Sequence, residues 1–433
     1  MRRILSLAIV AATLIGGYAW ACGGYTTLPT KQALSNNPEE AAQAVQELRA
    51  VGPSALANVA ATRDRRQEQL KTAPPEEAQA LQAEIAKLNQ LMDEIGGAKY
   101  CSASKLYWYT DFEQAKAEAA RTNKPILSLR MLGNLNEEFS CANSRFFRTT
   151  LYANQEISQT LRDKFVLHWE SVRPVPKITI DFGDGRKLER TLTGNSIHYV
   201  VDAGGRPLDG LPGLHGPQAF GQWLARAEAL AQAYTAQAPE GREELLREYH
   251  RARVSAIAAA FTKDLSAISG PYAQQASSPT TVSNQTNAPA LPNTIDDLPE
   301  ATWQQIAALH ADDAKLDKAS VQLIRDENPS AVRAGLLAVS KRVVEDPITR
   351  LVRTFQSSIA LDTVRNEYVL HRQLHEWFAG GGAEADLHAL NERVYAALFL
   401  TPSSDPWLGL VPPNTYTGLT NGGLKSDFPP DAR

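Results

Sequence analysis

The thiol of Cys141 is the side chain whose setting most clearly predicts chemistry. It follows an apolar run at residues 125–130 that predicts a buried strand, and it begins a segment with a helical pattern. Unpaired N–H groups at a helix N-terminus favour a thiolate, so we expect a lowered pKa for Cys141 and a sulfur that faces solvent. Arg145 would add to this effect. The chemistry predicted here is nucleophilic attack by sulfur.

Other residues bear on this thiol. The chain has three cysteines, enough for one disulfide and one spare thiol, and in an oxidising compartment Cys101 is the expected partner of Cys141. His168 and His198 lie on predicted strands, and either could act as a base toward the thiol. A hydrogen-bonded core histidine is the commoner outcome. A structural role for Cys141, buried or bridged to Cys101, is an alternative of equal weight.

A separate set of residues has the types that bind metal ions. Glu367, His371 and His375 recur at intervals of four on a predicted helix, so they share one face and could supply three ligands. No His-Glu-x-x-His or cysteine-rich spacing accompanies them, so a solvated polar face is favoured and no metal or other cofactor is predicted. Asp181, Asp184 and Gly185 resemble part of a calcium loop, but a hairpin turn is the favoured interpretation.

The elements around Cys141 are predicted to alternate between strands and helices. In chain order we expect a helix at 111–122, a strand at 125–130, helical segments at 141–151 and 154–164, a strand at 165–169, hairpins at 178–191 and 197–208, and a long helix from Pro217. The segments before and after this unit have helical patterns. The predicted fold class is α/β for the central unit and α+β for the chain.

Several short blocks in this region are similar to blocks of exported thioredoxin-like proteins. They are Lys124-Pro125-Ile126-Leu127, Cys141-Ala142-Asn143-Ser144, Asn154-Gln155-Glu156-Ile157, Phe165-Val166 and Asp202-Ala203-Gly204-Gly205. Residues 105–235 therefore resemble a divergent member of the thioredoxin-like superfamily. The resemblance implies a thioredoxin fold and thiol–disulfide exchange, with Cys141 in the attacking position of the Cys-x-x-Cys motif.

The same resemblance assigns roles to two serines. Ser144 stands where the family has its second cysteine, which resolves the mixed disulfide. Ser196 stands near the place of the cis-proline in the loop that receives substrate. Without a resolving thiol, monothiol exchange or isomerisation on protein substrates is expected rather than net dithiol reduction.

The flanking segments predict export and several domains. A basic head, an apolar run and small residues before Cys22 predict a removable signal peptide at 1–21, and hence a periplasmic or secreted bacterial protein. Lipid attachment at Cys22 is less favoured. The other predicted boundaries are an N-terminal helical segment at 22–104, the thioredoxin-like domain at 105–235, a helical extension at 236–269, a flexible linker at 270–297, a C-terminal helical domain at 298–400 and an extended tail at 401–433.

The net charge of the chain limits the classes of partner that it can bind. The formal charge is −4, and loss of Arg2 and Arg3 with the signal peptide takes it to −6, with no basic block that could follow a phosphate backbone. We therefore expect no nucleic acid as a partner. No apolar run after residue 21 has the length of a membrane span, so we also expect none in the mature chain. The leading hypothesis is thiol–disulfide exchange on protein thiols. The alternative is a non-catalytic module that holds an envelope protein, and a weaker third is metal handling by Cys141 with nearby histidines. The sequence carries no signal for an oligomeric state.

Overall fold

The computed structural model describes residues 28–191, 194–268, 298–330, 332–333, 347–381 and 385–405. The predicted signal peptide with Cys22, the predicted linker and residues 406–433 of the predicted tail lie outside these ranges. The described chain is a mixed α/β protein in which helices surround a five-stranded sheet, consistent with the α+β class expected from the sequence. No helix within the described ranges is both long enough and apolar enough to cross a membrane.

The helices are numbered here in chain order. They are α1 Thr30–Ala33, α2 Pro38–Val51, α3 Pro53–Thr72, α4 Pro75–Gly96, α5 Cys101–Ser104, α6 Phe112–Thr122, α7 Ala142–Phe146, α8 Gln155–Lys164, α9 Pro217–Ala236, α10 Arg242–Ile268, α11 Glu300–Leu309, α12 Lys318–Glu327, α13 Pro347–Arg365, α14 Arg372–Ala379 and α15 Leu387–Arg393. Stretches of π-helix follow α7, α13 and α15, at Phe147–Leu151, Asn366–His371 and Val394–Leu398.

Side chains cap the helices that the sequence predicts around the sheet. Asp111 accepts a hydrogen bond from the backbone N–H of Gln114 at 3.0 Å and begins α6. Asn154 accepts from the backbone N–H of Ile157 at 3.0 Å and begins α8. Such caps satisfy N–H groups that have no partner inside a helix. The predicted starts of both helices are therefore confirmed.

The strands are β1 Trp108–Tyr109, β2 Ile126–Leu132, β3 Val166–Arg173, β4 Lys177–Asp181, β5 Lys187–Thr191, β6 Ser196–Val201 and β7 Pro207–Pro212. The central sheet has the strand order β1-β3-β2-β6-β7. Strands β1, β3 and β2 are parallel, whereas β6 and β7 are antiparallel to their neighbours. Strands β4 and β5 form a separate antiparallel hairpin.

Alternation along the strands sends side chains to two separate cores. On β2, Leu127 and Leu129 join the larger core, together with Trp223 of α9. On β6, Ile197 and Tyr199 join the second core on the other face of the sheet. A sheet that is covered on both faces needs apolar residues at consecutive positions, and β2 is buried throughout. The N-terminal helices α2 to α4 form a third core of their own.

The C-terminal helices complete the second core. Leu374 and Phe378 of α14 and Leu390 of α15 are buried there, and each such side chain contributes about 1.5–3 kcal/mol by leaving water. Gly210 of β7 allows this close approach, because a Cβ atom at that position would lie 2.9 Å from Leu374 Cδ2. The region predicted as a C-terminal helical domain is thus packed directly on the sheet.

Candidate functional site

Cys141 occupies the predicted position but not the predicted environment. It is the N-cap residue of α7, and its Sγ accepts a hydrogen bond from the backbone N–H of Ser144 at 3.4 Å. The residue is 0% exposed and belongs to the larger apolar core. Burial raises the pKa of the Cys141 thiol and outweighs the hydrogen bonds from the helix N-terminus. The expectation of a solvent-facing, acidic thiol is therefore wrong.

The expected disulfide is not formed. Cys101 and Cys141 are both free and both buried. Cys101 begins α5, and its side chain packs closely against Gly96 at the end of α4. The two thiols thus have different local environments, and burial raises the pKa of Cys101 well above the usual value.

The two serines assigned by the resemblance are also buried. The Ser144 hydroxyl is hydrogen-bonded to the Ser140 hydroxyl, and its Oγ lies 3.2 Å from the backbone carbonyl oxygen of Cys141. Ser196 lies within strand β6 rather than in an open loop, and its Oγ accepts a hydrogen bond from Asn143 Nδ2 at 2.9 Å. Neither hydroxyl faces solvent, since both serines are 0% exposed.

The two histidines considered as bases have other partners. Ser128 Oγ lies 2.9 Å from His168 Nδ1, and Tyr152 Oη lies 2.7 Å from His198 Nε2. Burial lowers the pKa of each ring to about 3, so both are neutral. They are hydrogen-bonded core histidines, which is the outcome that the sequence favoured.

The Asp-Gly segment of the first hairpin forms a turn. Asp181 Oδ1 accepts from the backbone N–H of Gly183 at 2.9 Å, and Asp184 Oδ1 accepts from that of Arg186 at 3.1 Å. Both aspartates are exposed. The favoured interpretation of a hairpin turn is confirmed.

A buried polar cluster lies where the sequence predicted a solvated face. His371 and His375 are each 0% exposed, and so is Asp209 of β7. Ligand atoms of these three residues all lie within 4.8 Å of one another. The solvated-face prediction is wrong, because this side of the α13 to α14 helix packs on β7 and α10.

His371 has one ring nitrogen occupied and one free. Its Nδ1 lies 2.6 Å from Glu367 Oε2, so Nδ1–H donates to the carboxylate. Burial alone would raise the pKa of Glu367, but its hydrogen bond with His371 and the positive charge of Arg253 lower it, so the carboxylate is ionised. In the neutral ring, Nε2 then carries a lone pair, and this buried atom has no hydrogen-bond partner among the described residues. Both residues lie in the π-helical stretch, a geometry frequent at functional sites.

His375 is oriented by a second histidine. His250 Nε2 lies 3.0 Å from the carbonyl oxygen of Leu208, which only accepts, so Nε2 carries the proton. Burial lowers the pKa of His250 to about 4, and its neutral ring therefore accepts at Nδ1 from His375 Nδ1 at 2.7 Å. The pKa of His375 is well below the usual value because of burial. Its Nε2 is thus a second buried lone pair with no partner in the described chain.

Asp209 supplies the negative charge of the cluster. One carboxylate oxygen accepts from the backbone N–H of Gly210 at 2.8 Å, and the other accepts from Tyr249 Oη at 2.8 Å. Burial and the Asp209 charge raise the pKa of Tyr249, so its hydroxyl stays a donor. Two imidazole nitrogens and one carboxylate therefore converge, a set of ligands typical of first-row transition metals.

Sequence reasoning found two of these three residues and missed Asp209. The available signal was a single aspartate within Pro207–Pro212, a run that is otherwise apolar or glycine and is buried throughout. A buried carboxylate requires a charged or hydrogen-bonding partner. His250 was missed because nothing in its helical pattern marks it as a partner of His375.

Comparisons with protein-family models, with curated proteins and with solved structures give no match for this chain.

Proposed function

We propose that this protein binds one divalent transition-metal ion through Asp209, His371 and His375. The observation that carries the proposal is that two buried histidines with unpartnered Nε2 atoms each bring a ring nitrogen within 4.8 Å of a carboxylate oxygen of buried Asp209. An unpaired polar atom in the interior is costly, and a cation would satisfy all three groups at once.

The surroundings of the ligands also support metal binding. Histidines that bind metals usually donate their other ring N–H to a carboxylate or a carbonyl, which holds the ring in place. His371 donates to Glu367, and His375 is linked through His250 to the Leu208 carbonyl. The ligand set favours Zn²⁺ or Fe²⁺ over Mg²⁺ or Ca²⁺, because the latter prefer all-oxygen ligands.

The ion would join parts of the chain that are distant in sequence. Asp209 belongs to strand β7, whereas His371 and His375 belong to the helix that covers the sheet. Metal binding would therefore hold the C-terminal helices on the sheet. Three protein ligands also leave a coordination position for a further ligand.

The test is metal titration of the purified full chain after chelation. We expect one Zn²⁺ or Co²⁺ per chain by elemental analysis and saturable binding by calorimetry. Asp209→Asn keeps the shape of the side chain and removes its charge. This variant and His371→Ala should each lower the affinity by about 100-fold or more, since loss of supporting groups alone costs about 10–100-fold.

His388→Gln is the matched control, because the side chain of His388 is 64% exposed and lies outside the cluster. It should bind metal like the unaltered chain. Thermal unfolding of each metal-free variant checks that it folds. Equal metal affinity in Asp209→Asn, His371→Ala and the control would overturn the proposal.

We further propose that residues 105–235 form a non-catalytic thioredoxin-like scaffold in an exported protein. Three parallel strands followed by two antiparallel strands support the resemblance, and so does a cysteine that caps a helix. The burial of Cys141 favours a structural thiol over thiol–disulfide exchange, because an attacking sulfur must reach its substrate.

A thiol probe at pH 6 distinguishes the two roles of Cys141. In the native protein the probe should label Cys141 far more slowly than in urea, with Cys141→Ser identifying its contribution. Labelling of the native protein faster than that of an ordinary cysteine would instead support exchange chemistry. The signal peptide expected at residues 1–21 can be tested by mass spectrometry of the exported chain.

A further inference from the structure

A cavity of about 230 Å³ lies between helices near the proposed metal site. Its walls come from α9, α10, α13 and the π-helical stretch, with residues from the segments around β7 and α11. Glu367 and His215 are among the lining residues. The volume is small for an organic ligand site, which commonly spans about 300–1,000 Å³, but it exceeds the space of a single water molecule.

Three residues that line this cavity carry buried N–H donors without a partner. They are Trp223 Nε1, Arg226 Nε and Arg253 Nε, and no atom of the described residues accepts from them. Trp223 is only 1% exposed. Buried donors are normally satisfied, so three orphan donors around one cavity indicate that an acceptor enters it.

The two carboxylates in the cavity wall already accept hydrogen bonds. Glu367 accepts from His371 at one oxygen and from Arg253 at the other, the latter at 3.2 Å. Asp313 accepts from His310 Nδ1 at 3.0 Å. The wall therefore offers free donors, and its charges favour a negative ligand.

Those charges can be assigned. The guanidinium groups of Arg226 and Arg253 are positive, and Glu367 balances one of them. The hydrogen bonds of His310 to Asp313 and to Asp264, beyond the wall, raise its pKa to about 9, so it is protonated at neutral pH. Glu367 pairs with Arg253, so the guanidinium of Arg226 is the one in the wall without an ion-pair partner among the described residues.

We propose that this cavity binds a small oxyanion, a carboxylate or a phosphate, through Arg226, Arg253 and Trp223. Guanidinium groups bind the oxygens of both anions through charge-assisted hydrogen bonds, which are stronger than neutral ones. The indole N–H supplies a third donor to the same ligand. Residues without a charge, such as Leu211 and Ile257, exclude water from the rest of the wall.

The cavity is connected to the metal ligands by one carboxylate. Glu367 bonds Arg253 on the cavity side and His371 on the metal side. An oxyanion on Arg253 would leave more of the Glu367 charge for His371, and it would attract the cation directly. This part of the inference rests on the proposed metal site. Anion and metal should then increase each other's affinity by the same factor, about 5-fold or more.

The first experiment uses the metal-free full chain in a chelating buffer without other oxyanions. Inorganic phosphate and acetate are titrated separately by calorimetry, which distinguishes the two kinds of oxyanion. Saturable binding of either supports the proposal. Arg226→Gln should weaken it by about 10- to 100-fold, and Trp223→Phe should weaken it less.

Arg251→Gln is the matched control, because Arg251 lies on α10 but its side chain is exposed and pairs with Glu244. It should bind the anion normally. If Arg226→Gln fails to fold, Arg226→Lys keeps the charge, loses the Nε donor and should still bind more weakly. Absence of saturable binding of both anions at millimolar concentration, or equal binding by Arg226→Lys and Arg251→Gln, overturns the inference.

A second titration separates the two proposals. Zn²⁺ affinity is measured with and without saturating phosphate, in the unaltered chain and in Glu367→Gln. If phosphate raises the Zn²⁺ affinity of the unaltered chain but not that of Glu367→Gln, the result supports the connection between the cavity and the metal site. Anion binding without any Zn²⁺ binding would overturn the metal site and the connection but would leave the anion cavity intact. Metal binding without anion binding would overturn the anion cavity and the connection but would leave the metal site intact.

Discussion

The pH dependence of stability gives a direct test of the packing around His310. Its Nε2 donates to Asp264 at 2.7 Å and its Nδ1 donates to Asp313 at 3.0 Å. Asp264 lies near the end of α10, and it also accepts from the hydroxyl of Tyr368. The histidine thus joins the segments on either side of residues 269–297.

The contribution of His310 to the free energy of unfolding follows from the shift of its pKa. The hydrogen bond to Asp313 is the largest contribution, and with Asp264 it raises the pKa of His310 from 6.5 to about 9 despite burial. Such a rise corresponds to about 3 kcal/mol of stability. The side chain is 30% exposed, so solvent screening reduces this to about 1–2 kcal/mol.

The direction of the pH dependence follows from the same shift of the His310 pKa. Because the folded pKa lies above the unfolded value, the stabilisation is fully present below pH 6.5. It declines as the pH rises and is lost above about pH 9. Acidic buffers should therefore favour this contact, and alkaline buffers should remove it.

The assay compares urea unfolding of the unaltered chain and His310→Gln at pH 6, 7.5 and 9.5. The difference in free energy of unfolding should shrink by about 1–2 kcal/mol across this series. His388→Gln controls for the loss of an imidazole from an exposed site. A difference between the unaltered chain and His310→Gln that stays constant with pH would show that protonation of His310 does not stabilise the fold.

Three further substitutions, each with its own control, test the packing of the sheet and the support of the metal ligands. Gly210→Ala should lower the free energy of unfolding by about 1–3 kcal/mol, because its Cβ would lie 2.9 Å from Leu374 Cδ2, whereas Gly221→Ala in an open part of α9 should stabilise by about 0.5–1 kcal/mol. Equal effects of the two changes in thermal unfolding would contradict the described approach of β7 to α14. Leu374→Ala should cost about 2–5 kcal/mol and Leu309→Ala, at a residue 50% exposed, less than about 0.5 kcal/mol, both by urea unfolding. A small cost at Leu374 would argue against the second core. Glu367→Gln should lower the Zn²⁺ affinity measured by calorimetry by about 10–100-fold, whereas His388→Gln should leave it unchanged. An unchanged Zn²⁺ affinity in Glu367→Gln would exclude a supporting role of Glu367.

Local patterns in the sequence predicted most of the elements around the sheet. The caps at Asp111 and Asn154 depend on residues within three positions of each other, as does the turn at Asp184. The cysteine at the start of α7 is local in the same sense. These features could be predicted because short-range hydrogen bonds determine them.

Burial could not be predicted in the same way. The pattern placed Cys141 at a helix start, but whether other elements cover that start depends on residues far away in the chain. Because the core closes over the sulfur, the pKa of Cys141 is raised where the local pattern predicted that it would be lowered. The same local geometry can thus hold a reactive or a structural thiol.

The buried histidines show the same limit. The spacing of Glu367, His371 and His375 predicted one shared helical face, but the partner of that face is Asp209 on a distant strand. On α9, Arg226 follows Trp223 by three positions, which places an arginine beside the buried apolar face of the helix. This spacing could have indicated a buried anion-binding site. Only the fold shows that Arg253 shares the same cavity.

The C-terminal covering of the sheet has a consequence for biosynthesis. Tyr199 donates to Asn391 Oδ1 at 3.4 Å across 192 positions of sequence. Strand β6 leaves the ribosome long before the helices that cover it, so an apolar sheet face stays uncovered during translation. Contacts of such long range slow folding, and partly folded chains of this kind aggregate readily. Nascent chains of this protein should therefore depend on chaperones until helices α14 and α15 have been synthesised.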